Sequence, residues 1–125
     1  MKEAPSERHI RRCGELFEKL LRPLRAVARI HGYALGVHGS VRRDIDLIAA
    51  PWTRKVSPPE LLAESIRQAA EAINGFAFNR DAEGAANPDY FIKGAPGAKP
   101  HGRLGWAFHL GGGPYIDLSV LPPAS

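Results

Sequence analysis

Two short segments of this chain, DIDLIA over residues 44–49 and YIDLSV over residues 115–120, alternate polar and apolar side chains with a period of two. That period belongs to β-strands, whose successive side chains point to opposite faces. In the first segment Asp44 and Asp46 share one face while Ile45 and Leu47 take the other. In the second, Tyr115, Asp117 and Ser119 oppose Ile116, Leu118 and Val120. Each segment demands a layered fold, with an apolar face packed against other elements and a carboxylate face left open. If the two strands are neighbours, three carboxylates converge.

The rest of the chain supplies the packing layer. Apolar residues recur at helical spacing at Ile10, Cys13, Phe17, Leu20, Leu24, Val27 and Ile30 or His31. The phase survives Pro23, so either one kinked helix runs through it or a second helix starts with Pro23 in its first turn. Ser6 is placed to cap the start, and Gly32 to stop the helix after His31. Residues 33–37 read as a short buried strand, followed by a turn at His38, Gly39 and Ser40. The second strand, 44–49, is ended by Pro51. Ser57, Pro58 and Glu60 read as cap, first helical position and capping box of a second helix. It buries Leu62, Ile66, Ala69 and Ile73 and stops at Asn74-Gly75.

Residues 80–88 read as a loop, and 90–93 and 104–110 as strands joined by the basic connection GAPGAKPHG. Gly111, Gly112 and Gly113 form a hairpin turn into the last strand, 115–120, which Pro122-Pro123 closes. This order predicts an α+β fold: a mixed or antiparallel sheet of about five strands with helices packed on one face. A single domain over residues 1–125 is expected, since domains cluster at roughly 100–150 residues.

Composition narrows the class. With 44% hydrophobic and 24% charged residues the chain is of soluble globular type. No apolar run approaches the roughly 20 residues of a spanning helix, and no apolar stretch follows the basic N-terminus as in a secretory signal. Cys13 is the sole cysteine, which excludes a disulfide within the chain and makes a cytoplasmic setting the expectation. A net charge of +4 and a pI near 9.6 favour anionic partners, or simply a well-solvated surface. In the early basic run, residues 8–29, the aromatic Phe17 belongs to the apolar stripe, so no aromatic ring interleaves the basic residues as a base-stacking platform would require.

The carboxylates carry the chemistry. Three anions held together repel one another, and a divalent cation removes the conflict. Hard oxygen ligands of this kind suit Mg²⁺, which takes one or two carboxylates, waters and substrate phosphates. Gly39 and Ser40, just upstream, offer close backbone approach and a hydroxyl to a phosphate. The plainer reading pairs Asp44 with Arg42 or Arg43 and leaves Asp46 solvated.

HGSVRRDIDLIAAPW together with YIDLSVL resembles the nucleotidyltransferase superfamily, which has the DNA polymerase β-like fold. The resemblance covers residues 37–52 and 115–120 and is that of a minimal or diverged member. It implies that Asp44, Asp46 and Asp117 are catalytic and bind Mg²⁺ or Mn²⁺. It implies further that Gly39 and Ser40 touch the triphosphate of a nucleoside triphosphate, with Asp117 nearest the attacking hydroxyl. Family enzymes place a turn of helix between Gly-Ser and the first aspartate, whereas here only Val41, Arg42 and Arg43 intervene. A helix of 3.6 residues per turn does not fit in three residues. Either Arg42 and Arg43 take over phosphate neutralisation, with His38 beside them, or the triphosphate site is lost.

The expected function is therefore metal-dependent transfer of a nucleoside monophosphate from a nucleoside triphosphate to an unknown acceptor, a nucleic acid or a protein. The alternative is an inactive protein of the same fold that binds nucleic acid, nucleotide or protein. No membrane partner is expected. Among the remaining residues, His101 and His109 read as structural or solvent-facing, and Lys99, His101 and Arg103 as an anion-contacting or solvated loop. Trp52 and Trp106 read as core or rim packing, and Cys13 as an inert buried thiol.

Overall fold

A computed structural model describes residues 4–74, 97–98, 103–109 and 114–122. The first helix, α1, spans Glu7–Ile30. Ser6 caps it, its hydroxyl accepting from the His9 amide at 3.1 Å, and Glu7 in the first turn complements the helix dipole. The helix runs through Pro23 without a break. An interior proline costs about 3 kcal/mol. Leu20 and Leu24 flank it and are both fully buried, so packing offsets that cost.

The buried stripe of α1 is Cys13, Leu16, Leu20, Leu24 and Ala28, with Phe17, Leu21 and Val27 partly covered. Ile30, expected on that stripe, is 83% exposed. At 100° per residue it lies about 200° around the helix from Ala28, on the far side. The helix ends where Gly32 adopts φ +89°, and a Cβ there would meet the Lys55 carbonyl at 2.7 Å.

Strand β1 spans Tyr33–His38 and β2 Ile45–Pro51. Helix α2 spans Pro59–Asn74 and buries Leu62, Ala63, Ile66 and Ala70. Two-residue β3 is Gly97–Ala98, β4 spans Leu104–His109 and β5 Tyr115–Val120. The four full strands form a mixed sheet in the order β1-β2-β5-β4, and β3 pairs with the outer edge of β4. The pairings are antiparallel except β2 with β5, which run parallel. The expected strand at 90–93, the loop at 80–88 and the turn at 111–113 lie outside the described residues.

The sequence places a cap at Ser57, and the structure corrects this. Helix α2 begins at Pro59, and the Pro58 carbonyl accepts from the amides of Leu61 and Leu62. Ser57 instead binds the end of α1. Its hydroxyl and His31 Nδ1 share a 2.8 Å hydrogen bond, and its amide donates to the His31 carbonyl at 2.9 Å. The Tyr33 hydroxyl donates to the Ser57 carbonyl at 2.7 Å. A serine before two prolines thus serves tertiary contacts, to which local helix signals are blind.

Ile45, Leu47 and Ala49 of β2 face inward with Ile116, Leu118 and Val120 of β5 and Trp106 and Phe108 of β4. Together with the stripes of α1 and α2 they make one hydrophobic core. Both helices therefore cover the same sheet face, as the alternation in 44–49 and 115–120 requires. Among the described residues no helix is long and apolar enough to cross a membrane.

Leu118, fully buried on a central strand, should be costly to truncate. Leu118→Ala is expected to destabilise by about 2–5 kcal/mol in urea unfolding. Trp52→Ala, at a side chain 73% exposed, should change stability by no more than about 0.5 kcal/mol.

Candidate functional site

The register of the central strands decides which carboxylates meet. Asp46 of β2 is the direct partner of Asp117 of β5, and Ile45, Leu47 and Ile48 pair with Ile116, Leu118 and Ser119. Directly paired residues share a sheet face, and neighbouring strands are about 4.8 Å apart, so the two carboxylates stand side by side. On the other side of β2, His38 of β1 is the partner of Asp46. One row across three strands thus reads His38, Asp46, Asp117, on the face away from the helices. Asp46 and Asp117 are each half-buried and His38 is exposed.

Asp44 sits in the bend just before β2 rather than inside it. Extending the β2–β5 register by one residue sets it opposite Tyr115, and the Tyr115 hydroxyl donates a hydrogen bond to it. Burial pushes the Tyr115 phenol up from 10.0 to about 12, helped by that hydrogen bond and by the negative charges of Asp44, Asp117 and Asp46. One phenol thus feels all three carboxylates. Underneath, the Cys13 thiol is raised chiefly by burial and then by Asp44 and Asp46, which keeps it protonated and inert at neutral pH.

The turn between β1 and β2 shapes the rim. Gly39 has φ +82°, and a Cβ on it would lie 3.3 Å from Asp46 Oδ2, so glycine provides both the left-handed turn and the close approach. Val41 also takes a left-handed conformation, φ 54°. For a β-branched residue that is an outlier costing about 1–2 kcal/mol. Two left-handed residues thus perform the reversal that a helical turn would need more chain to make. His9 Nε2, in the first turn of α1, donates to the Arg43 carbonyl at 2.7 Å and fixes the backbone directly before Asp44.

The structure brings Asp46 and Asp117 together, holds Asp44 beside Tyr115, and leaves His38, Gly39, Ser40 and Arg42 exposed at the rim with Arg43 half-buried. Among the described residues no group of three or more His, Cys, Asp or Glu side chains is arranged to hold a metal ion. The donor set still fits Mg²⁺ or Mn²⁺, because such ions complete their shell with water and phosphate oxygens around one or two carboxylates. Asp46 and Asp117 are the two carboxylates that the register sets side by side.

Two positioning residues escape a reading of the sequence. Tyr115 is visible there on the carboxylate face, but its bond to Asp44 needs the strand register. His9 lies 34 residues from Arg43, beyond any local signal. Lys99 and His101 lie outside the described residues, and Arg103 is half-buried. Trp106 is buried in the core, whereas Trp52 is not packed. Comparison with known proteins returns no match to a family model, to a curated protein or to a solved structure.

The raised Tyr115 phenol has a measurable consequence. Between about pH 10 and 12 the folded chain keeps a proton that the unfolded chain has released, so stability is full below pH 10 and falls as pH rises towards 12. Ultraviolet titration of tyrosinate should show a component near pH 12 that is absent from Tyr115→Phe.

Proposed function

We propose that this chain is a metal-dependent nucleotidyltransferase-like protein, moving a nucleoside monophosphate from a nucleoside triphosphate to an acceptor hydroxyl. The observation that carries the reading is the in-register pairing of Asp46 with Asp117 on adjacent parallel strands, on the face away from the helices. Two carboxylates set side by side on one face form a place that a cation can occupy favourably. In this reading Asp46 and Asp117 hold Mg²⁺ or Mn²⁺, and Asp44, with Tyr115 orienting it, completes the acidic cluster. When bound, the cation neutralises triphosphate charge and lowers the pKa of the attacking hydroxyl.

The chain's own residues do the rest. Arg42 and Arg43 follow the Gly39-Ser40 turn and precede the aspartates, where cations balance phosphate charge. The Gly39 backbone lies close over Asp46, and the Ser40 hydroxyl and His38 border the same rim. The acceptor oxygen bonds to the α-phosphorus, the bond to the β-phosphate bridge breaks, and pyrophosphate leaves. The hydroxyl proton passes to a carboxylate of the cluster, Asp117 being the member assigned to that side. A cytoplasmic site, where nucleoside triphosphates are held with Mg²⁺, accords with this reading.

One observation favours the second reading, an inactive protein of the same fold that binds nucleotide, nucleic acid or protein. The strained 39–43 turn and the Tyr115 bond leave Asp44 engaged rather than open. Calorimetric titration of ATP and the other nucleoside triphosphates with Mg²⁺ or Mn²⁺ separates the two. The enzyme reading expects metal-dependent binding that Asp46→Asn weakens roughly 10- to 100-fold or more, since even outer ligand partners are worth that much. Binding that ignores metal and Asp46→Asn assigns the chain to the second reading.

A further inference from the structure

A groove of about 640 Å³ opens at the far end of β1 from Asp46, lined by Arg25, Arg29, Tyr33, Ala34, Leu35 and Trp52. Tyr33 and His38 mark opposite ends of β1, about 17 Å apart at ~3.4 Å per residue, so this groove is separate from the carboxylate site. Its volume is that of a small-ligand or single-nucleotide site.

Three features of its lining point to one chemistry. Trp52 is 73% exposed, an unusual setting for the largest apolar side chain. Its amide is pinned to the Gly32 carbonyl at 2.7 Å, so the backbone that carries the indole is fixed against the end of α1. Arg25 and Arg29 stand four residues apart, one helical turn, and so share a face of α1. Arg25 Nε donates to the Leu35 carbonyl at 3.1 Å, which anchors the guanidinium over the edge of β1. Among the described residues its four other N–H donors meet no acceptor and can serve an anion. A second groove, about 560 Å³, shares Arg25 and Arg29 and is lined also by Phe17, Glu18 and Arg22. Arg22, Arg25 and Arg29 therefore line adjoining grooves along α1, with Glu18 as the one acidic lining residue among the described residues. On the helix itself Phe17 is partly buried against the core; the exposed ring comes from the end of β2.

The geometry points to a binding groove for single-stranded nucleic acid, with phosphates on Arg25 and Arg29 and an unpaired base stacked on Trp52. An anion site built of arginines alone would take any polyanion. An exposed indole beside the arginines adds a stacking surface that an unpaired base can use and that a polyanion without bases cannot. A duplex keeps its bases stacked inside and offers that ring nothing. The inference stands whether or not the carboxylates bind a metal.

The test is intrinsic fluorescence and anisotropy with labelled decathymidylate and decauridylate, with heparin and a ten-base-pair duplex as competitors. The chain has two tryptophans, and Trp106 is buried in the core, so quenching on binding reports Trp52. Binding with quenching is expected. Trp52→Ala should weaken it roughly 5- to 150-fold, the range that removal of one stacking platform covers. Arg29→Ala should lower the slope of log affinity against log salt by roughly 0.7 for each phosphate no longer neutralised. Circular dichroism of both exposed-site variants should match the wild type, which checks that they fold. Preference for one oligonucleotide over the other tells RNA from DNA and supports the groove either way. Three results overturn it: no binding of either oligonucleotide, duplex or heparin binding as tight as the single strands, or affinity unchanged in Trp52→Ala.

Discussion

The parallel pairing of β2 with β5 is the constraint on which the rest of the structure depends. Both strands carry an apolar-Asp-apolar core, and in a strand a shift of one residue turns every side chain to the other face. Burial of Ile45, Leu47, Ile116 and Leu118 under the helices therefore fixes the register, and the register fixes Asp46 against Asp117. The hydrophobic face and the charged face are two consequences of one alternation. The apolar side thereby sets the place of the two carboxylates on the opposite face.

The remaining elements arrange what surrounds that pair. Helix α1 touches both ends of the sheet: its first turn holds the Arg43 carbonyl through His9, and its end is bound to Ser57 and to the Trp52 amide. The first of these sets the bend that carries Asp44, and the second sets the direction in which Trp52 leaves the sheet. Backbone strain gathers at the same rim, in left-handed Val41 beside left-handed Gly39. Such strain persists only where the surrounding structure over-determines the conformation. Here that support comes from the His9 hydrogen bond and the partial burial of Val41 against the core.

Much of this was legible in the sequence because it is local. Alternation marked β2 and β5 and put Asp44 and Asp46, and separately Asp117, on their carboxylate faces; the 3.6-residue period and Ser6 marked α1; Gly32 marked its end. The sequence could not say that β2 and β5 are neighbours, because seventy residues of chain separate Asp46 from Asp117 and pairing is a tertiary choice. The same limit explains Ser57, whose position before two prolines satisfies helix-start rules while its hydroxyl goes to His31. It explains Trp52 too. A tryptophan after an apolar strand reads as packing, yet Pro51 ends the strand and the indole turns outward beside Arg25 and Arg29. Local patterns told faces and ends, and distant interactions decided partners.

In the proposed function Asp46 and Asp117 act on one cation together. Manganese binding followed by electron paramagnetic resonance tests it most directly, in the wild type, Asp46→Asn, Asp117→Asn and the double variant. If both carboxylates hold the same ion, each single change weakens Mn²⁺ binding and the double change costs clearly less than the two single effects added, because the second ligand has little left to hold. Strictly additive effects, or wild-type affinity in either single variant, would contradict the account.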